Sequence, residues 1–124
     1  MNIHVSKGGR ELGYTTEVKD NNLIIHFYGE LDHHITEKAR LLIDKKYDDK
    51  NIKNMVLDLT QLSFMDSSGI GLIMGRYKIT VEKKGKLLLI SSNTYVDRII
   101  RMSGLTKIIE VYKTVEEALQ KLEG

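Results

Sequence analysis

Residues 54–83 read NMVLDLTQLSFMDSSGIGLIMGRYKITVEK. The segment opens as a short apolar strand, Asn54–Leu59, in which Met55, Val56, Leu57 and Leu59 surround the carboxylate of Asp58. It closes as a helix over about 68–83, where Ile70, Ile73, Met74, Tyr77 and Val81 recur at helical spacing and form one stripe. Between them the run Gln61–Gly69 ends in Asp66-Ser67-Ser68-Gly69, residue types that leave a strand and cap a helix. A strand handed directly to a helix is half of a βαβ unit, and the apolar run Leu87–Ser91 supplies the next strand.

The same alternation extends in both directions. Upstream, Leu23–Tyr28 is dense in β-formers and reads as a buried strand ended by Gly29. Ile35, Ala39, Leu42 and Ile43 then mark a helix over about 33–48, with Asp32 as its cap and Asp48–Asn51 as the loop that follows. Downstream, Tyr95–Met102 fits a short helix and Lys107–Val111 a last strand. Thr114 with Glu117 forms a capping box ahead of a final amphipathic helix carrying Val115, Ala118, Leu119 and Leu122. At the amino end, Lys7-Gly8-Gly9-Arg10 and Asp20-Asn21-Asn22 are turn signals flanking an edge strand at Glu11–Val18. The pattern predicts an α/β layer fold with partly parallel pairing and right-handed crossovers.

Composition narrows the function classes. At 124 residues, the chain has the size of one domain with a single core. It is 41% hydrophobic and 29% charged, as folded domains are. A net charge of +2 is too small to argue for nucleic acid or an anionic membrane surface. The absence of cysteine excludes disulfides, thiolate metal sites and cysteine nucleophiles, and fits a reducing, cytoplasmic setting. No apolar run reaches membrane-spanning length, and Met1–Val5 carries no signal-peptide pattern.

Ser67 stands where ligands and partners meet α/β folds, at the carboxyl end of a strand and the positive end of a helix dipole. One reading is structural: Asp66 or Ser67 caps the helix, worth about 1 kcal/mol. That reading is incomplete, because Asp66, Ser67 and Ser68 offer three capping groups where one suffices. A spare hydroxyl is available as a phosphoacceptor. Phosphorylation would add about −1.5 to −2 charges beside Asp66, and the helix amides could hold them. The expected result is a binding switch rather than an unfolding switch.

Gly69, Gly71 and Gly75 sit in one helix, where each interior glycine costs up to about 1 kcal/mol against alanine. Gly71 and Gly75, four apart, either pack closely on their own sheet or admit a partner's backbone. In Gly29–His34, Asp32 would share the sheet edge of Ser67 if the two strands are neighbours. His33 and His34 point to different sides of a helix, which argues against a shared metal. Gly69–Gly75 has one residue too many for a dinucleotide fingerprint, and no phosphate-binding loop is present. Met65 stands where a nucleophile elbow needs glycine, so a serine hydrolase using Ser67 with His33 or His34 is the weaker alternative, and a nucleotide sensor weaker still. Asp58 lacks the acidic pair that a phosphoaccepting aspartate needs.

Ser63–Gly71, continued by Gly75-Arg76-Tyr77-Lys78, resembles the signature of the anti-sigma factor antagonists of the STAS domain group. Gly29–His34, Met102-Ser103-Gly104-Leu105 and Lys107-Ile108-Ile109 narrow the resemblance to the sporulation antagonists of the anti-sigma F factor. The match covers roughly residues 17–120. It implies a single STAS domain at 17–124, a four- to five-stranded mixed sheet with about four helices, preceded by an extension at 1–16 that is a hairpin or loose tail. It also implies a non-enzymatic, cytoplasmic phosphoprotein that controls sporulation transcription by partner switching. Unphosphorylated, such a protein binds an anti-sigma factor that is itself a serine kinase, and so releases the sigma factor. The kinase then phosphorylates the first serine of Asp-Ser-Ser-Gly, Ser67 here, and a metal-dependent serine phosphatase reverses it. Asp32 falls at the family position for contact with the kinase. Asp66, Ser68, Gly69, Gly71 and Gly75 complete the expected docking surface, with no cofactor, metal, nucleic acid or membrane partner.

Overall fold

The computed structural model of the chain describes residues 13–123. Its elements are β1 (Tyr14–Lys19), β2 (Asn22–Leu31), α1 (His33–Tyr47), β3 (Asn54–Met65), α2 (Ser67–Glu82), β4 (Leu87–Ile90), α3 (Thr94–Ser103), a 3-10 turn (Leu105–Lys107), β5 (Val111–Tyr112) and α4 (Val115–Glu123). The five strands lie in chain order in one sheet. β1 pairs antiparallel with β2 through the two-residue turn Asp20-Asn21, where Asp20 takes φ +57. The remaining pairings are parallel, each reached through a helical crossover.

Period-2 alternation distributes the central strands between two cores. Leu23, Ile25 and Phe27 of β2, with Leu57 and Leu59 of β3, pack against Ala39 and Ile43 of α1, Leu72 and Ile73 of α2, and Val96 and Ile100 of α3. Ile24, Val56, Leu88 and Ile90 face the other way and meet Ala118 of α4. Burial on both faces explains why β2, β3 and β4 read as continuous apolar runs.

Several sequence-based boundaries change. β2 does not end at Gly29 but continues to Leu31, with Gly29 at φ +73. β3 does not stop at Leu59 but runs twelve residues to Met65. Its polar second half was unreadable as a strand because Thr60, Gln61, Ser63 and Phe64 lie outside the buried part of the sheet. Tyr14–Thr16, assigned to the extension, are the first half of β1; residues 1–12, including the Lys7–Arg10 turn, lie outside the described residues. Lys107–Val111 is not a strand: the chain tightens into the 3-10 turn, and only Val111-Tyr112 pair with β4. The stripe expected to bury α2 is also displaced. Gly69, Leu72, Ile73, Arg76 and Thr80 form its buried side, Ile70, Met74 and Tyr77 flank it, and Val81 is exposed.

One polar cluster interrupts the α4 face. His26 on β2 places Nδ1 2.7 Å from Asp58 on β3 and Nε2 2.7 Å from Glu17 on β1. Ionised carboxylates only accept hydrogen bonds, so the two contacts together favour the doubly protonated ring over either neutral tautomer. The Asp58 hydrogen bond is the largest cause of a raised His26 pKa, outweighing burial. Burial pushes the Asp58 carboxyl up, but hydrogen bonds from His26 and from the Thr60 amide and hydroxyl hold it below its ordinary value.

A group whose pKa is raised on folding contributes stability fully below its unfolded value, about 6.5 for histidine, and loses it as pH rises through the folded value. The stability difference between wild type and His26→Gln, from urea unfolding, is therefore expected to be largest near pH 6 and to shrink toward pH 9. A difference flat across that range would show that folding leaves the His26 pKa unshifted, against the charged pairing with Glu17 and Asp58.

Candidate functional site

The carboxyl ends of β2 and β3 are in register, with Leu31 opposite Met65. The next residue in each strand is a helix cap. Asp32 accepts from the Ile35 amide at 3.1 Å and starts α1; Asp66 accepts from the Ser68 amide at 2.9 Å and starts α2. The Asp66 amide in turn lies 3.5 Å from the Leu31 carbonyl. Asp32 and Ser67 therefore share one sheet edge, as the neighbouring-strand condition required.

Within Asp66-Ser67-Ser68 the structure divides the work. Asp66 is the cap, and its carboxylate also accepts a hydrogen bond from the Ser68 hydroxyl. That hydroxyl is the main reason the Asp66 carboxyl is held below its ordinary value; the Ser68 and Gly69 amides and the nearby His33 add to it against slight desolvation. Ser67 is exposed, and its side chain makes no hydrogen bond among the described residues.

The three glycines separate as well. A Cβ on Gly69 would stand 2.4 Å from Met65 Cγ and 3.3 Å from Leu31 Cδ2, so Gly69 is a packing glycine, buried beneath the site rather than on a docking surface. Gly71 and Gly75 have nothing within 4 Å of such a Cβ. Close packing on their own sheet does not account for them. They floor a groove of about 260 Å3 between α1 and α2, which His33, Arg40, Ser68 and Arg76 help to line. Arg76 is buried at the groove's base, with Nε 2.8 Å from Asp44 of α1 in an ion pair that lacks hydrogen-bond alignment. Burial depresses the Arg76 pKa, partly offset by Asp44.

His33 and His34 are exposed, and neither hydrogen-bonds Ser67. No group of three His, Asp or Glu among the described residues is arranged to hold a metal. The histidine with carboxylate partners, His26, projects from the opposite face of the sheet. Two residues near the end of β3 escaped sequence reading. Asn93 caps α3, accepting from the amides of Tyr95 at 2.8 Å and Val96 at 3.3 Å, and Phe64 stacks on Tyr95. An asparagine just ahead of a helical run is a cap signal that could have revealed the first.

The family model described as STAS domain matches residues 14–118. The chain belongs to the STAS domain family. Among curated relatives, this STAS domain is 42% identical over 101 residues to an anti-sigma F factor antagonist of Paenibacillus polymyxa, covering 82% of this chain and 86% of that one. It is 31% identical to an anti-sigma F factor antagonist of Lysinibacillus sphaericus, covering 86% and 91%. Among solved structures, the STAS domain matches the anti-sigma factor antagonist SpoIIAA in its unphosphorylated form with TM-score 0.74 and 27% identity, covering 90% and 98%. It matches the phosphorylated form of the Bacillus cell fate determinant SpoIIAA with TM-score 0.71 and 30% identity, covering 87% and 97%. The five-stranded mixed sheet with four helices formed by the described residues is the fold of that group. No described helix is long and apolar enough to cross a membrane.

The glycine geometry sets a stability test. Gly71→Ala and Gly75→Ala are each expected to stabilise the domain by about 0.5–1 kcal/mol, since helix propensity improves and no atom obstructs the methyl. Gly69→Ala is expected to destabilise it by about 1–3 kcal/mol through the clash with Met65. Urea midpoints of the three variants give the comparison, and equal signs would refute the division between packing and groove glycines.

Proposed function

We propose that this chain is an anti-sigma factor antagonist whose binding is switched at Ser67. Unphosphorylated, it binds an anti-sigma factor that is also a serine kinase and frees the sigma factor, and the process controlled is sporulation transcription. The observation that carries the reading is the division at the α2 terminus: Asp66 and Ser68 satisfy the cap between them, and the exposed Ser67 hydroxyl is not used for folding. The names of the relatives and the solution of SpoIIAA in both phosphorylation states support it.

In the forward step, Ser67 Oγ attacks the γ-phosphorus of ATP. The bond to the ADP oxygen breaks, and the hydroxyl proton passes to a base of the kinase. In the reverse step, in a serine phosphatase, water attacks the phosphorus, the bond from phosphorus to Ser67 Oγ breaks, Oγ takes up a proton, and inorganic phosphate is released. The phosphate would sit at the first turn of α2, where the dipole tolerates negative charge, so the domain stays folded. It would also bring about −1.5 to −2 charges and a tightly held water shell to an edge that already carries Asp32 and Asp66. A partner that covers this edge would have to desolvate that group. Asp32, Asp66, Ser68 and the open groove at Gly71 and Gly75 form the docking surface in this reading; Gly69 supports it from beneath.

Incubation with the cognate kinase and ATP, followed by mass spectrometry, is expected to place the phosphate on Ser67; phosphate on Ser68 or elsewhere would sink the assignment. Ser67→Asp should fold normally and bind the kinase at least about tenfold more weakly, a loss of about 1.4 kcal/mol. Ser67→Ala should bind and remain unmodified. Ser67→Ala should also keep its stability within about 0.5 kcal/mol of wild type, whereas Asp66→Ala should lose about 1 kcal/mol with the cap.

A further inference from the structure

Three residues before Ser67, Phe64 is 38% exposed and stacks on Tyr95, which is 44% exposed; the ring centroids lie 6.5 Å apart at 26°. Neither ring belongs to either core. Their geometry is fixed from below. The Asn93 carboxamide holds the first turn of α3 through its oxygen, and its Nδ2 donates to the Leu62 carbonyl of β3 at 3.1 Å. One side chain thus ties the start of α3 to the strand that carries Phe64. The platform continues along α3, because Tyr95, Ile99 and Met102 recur at i, i+4 and i+7 and share a side of the helix. Ile99 packs partly on the core, while Met102 is 80% exposed.

A solvent-facing aromatic pair that lies outside both cores and runs into an exposed methionine has the composition of an interface anchor. The occupant follows from its place, given the Ser67 reading on which this inference rests. An enzyme that brings the Ser67 hydroxyl to a phosphoryl donor must lay its own surface over this end of the sheet, and Phe64 is separated from Ser67 by two residues at the end of the same strand. We propose that Phe64 and Tyr95 are the apolar anchor by which the kinase that phosphorylates Ser67 holds this domain, through an apolar pocket beside its active-site mouth, with Met102 at the rim of the contact.

An anchor remote from the reacting atoms binds substrate and transition state alike, so its loss raises KM and leaves kcat unchanged. With the full-length chain, the cognate kinase and ATP, Phe64→Ala and Tyr95→Ala are each expected to raise KM for Ser67 phosphorylation about tenfold, with kcat within about twofold. Tyr95→Phe keeps the ring and is expected to behave as wild type. Met102→Ala, at an exposed position that cannot disturb folding, is expected to weaken binding about two- to threefold. Circular dichroism and urea midpoints establish that each variant is folded. Phosphorylation of wild type on Ser67 with KM and affinity unchanged in Phe64→Ala, Tyr95→Ala and Met102→Ala would overturn the anchor and leave the Ser67 reading standing. A wild-type chain that the kinase does not phosphorylate on Ser67 would overturn both.

Discussion

Parallel pairing of β2 with β3 down to Leu31 opposite Met65 is the constraint on which the rest of the structure depends. Parallel neighbours force a crossover, so α1 must leave from the end of β2 and return the chain to the start of β3. α2 then leaves from the same edge. The pairing is not uniform. His26 faces Asp58, but Leu31 faces Met65, so β3 gains two residues on β2 through register shifts on either side of Tyr28 and Gly29. Without those two residues Asp32 would lie level with Phe64 rather than Asp66. The irregularity brings the two acidic caps together, and Gly29 at φ +73 supplies a backbone conformation that side chains resist.

From that alignment comes the contrast within α2. Its first turn rests on Met65 and Leu31 through Gly69, where even a methyl would collide. One and two turns later, Gly71 and Gly75 meet open space above a buried Arg76 that is paired to Asp44 on α1. The helix is thus tightly seated at one glycine and deliberately bare at two others. Helices that only had to pack would fill those two positions, because alanine there improves helix propensity without obstruction.

The alternation of strands and helices was legible in the sequence because β2, β3 and β4 are buried on both faces and the helices carry apolar residues at their own period. The caps were legible too, since Asp32, Asp66 and Thr114 with Glu117 are the residue types that free amides select. What stayed hidden was set by contacts between distant residues. Phe64 and Tyr95 are thirty-one positions apart, and nothing local announces that they stack. The second half of β3 lacks alternation because its partner strand shifts register there. The α2 stripe is displaced rather than reversed: Ile70, Ile73, Met74 and Tyr77 pack on the core, but Arg76 and Thr80, polar by type, also lie beneath the helix, whereas Val81 stays in water. For Ser67 the residues alone left capping and phosphate acceptance both open. The long motif favoured acceptance, and the cap geometry then showed Asp66 and Ser68 sufficient without it.

The separation of Asp66 and Ser68 from Ser67 has a consequence for how this domain fails. Damage to the cap lowers stability, raises the unfolded fraction and exposes the chain to proteolysis, so it registers as reduced abundance. Damage to Ser67 does none of this. The protein accumulates at its normal level, and cellular quality control has nothing to detect. Folding alone calls for Asp66 and Ser68; under the proposed switch, Ser67 answers only to the timing of the signal.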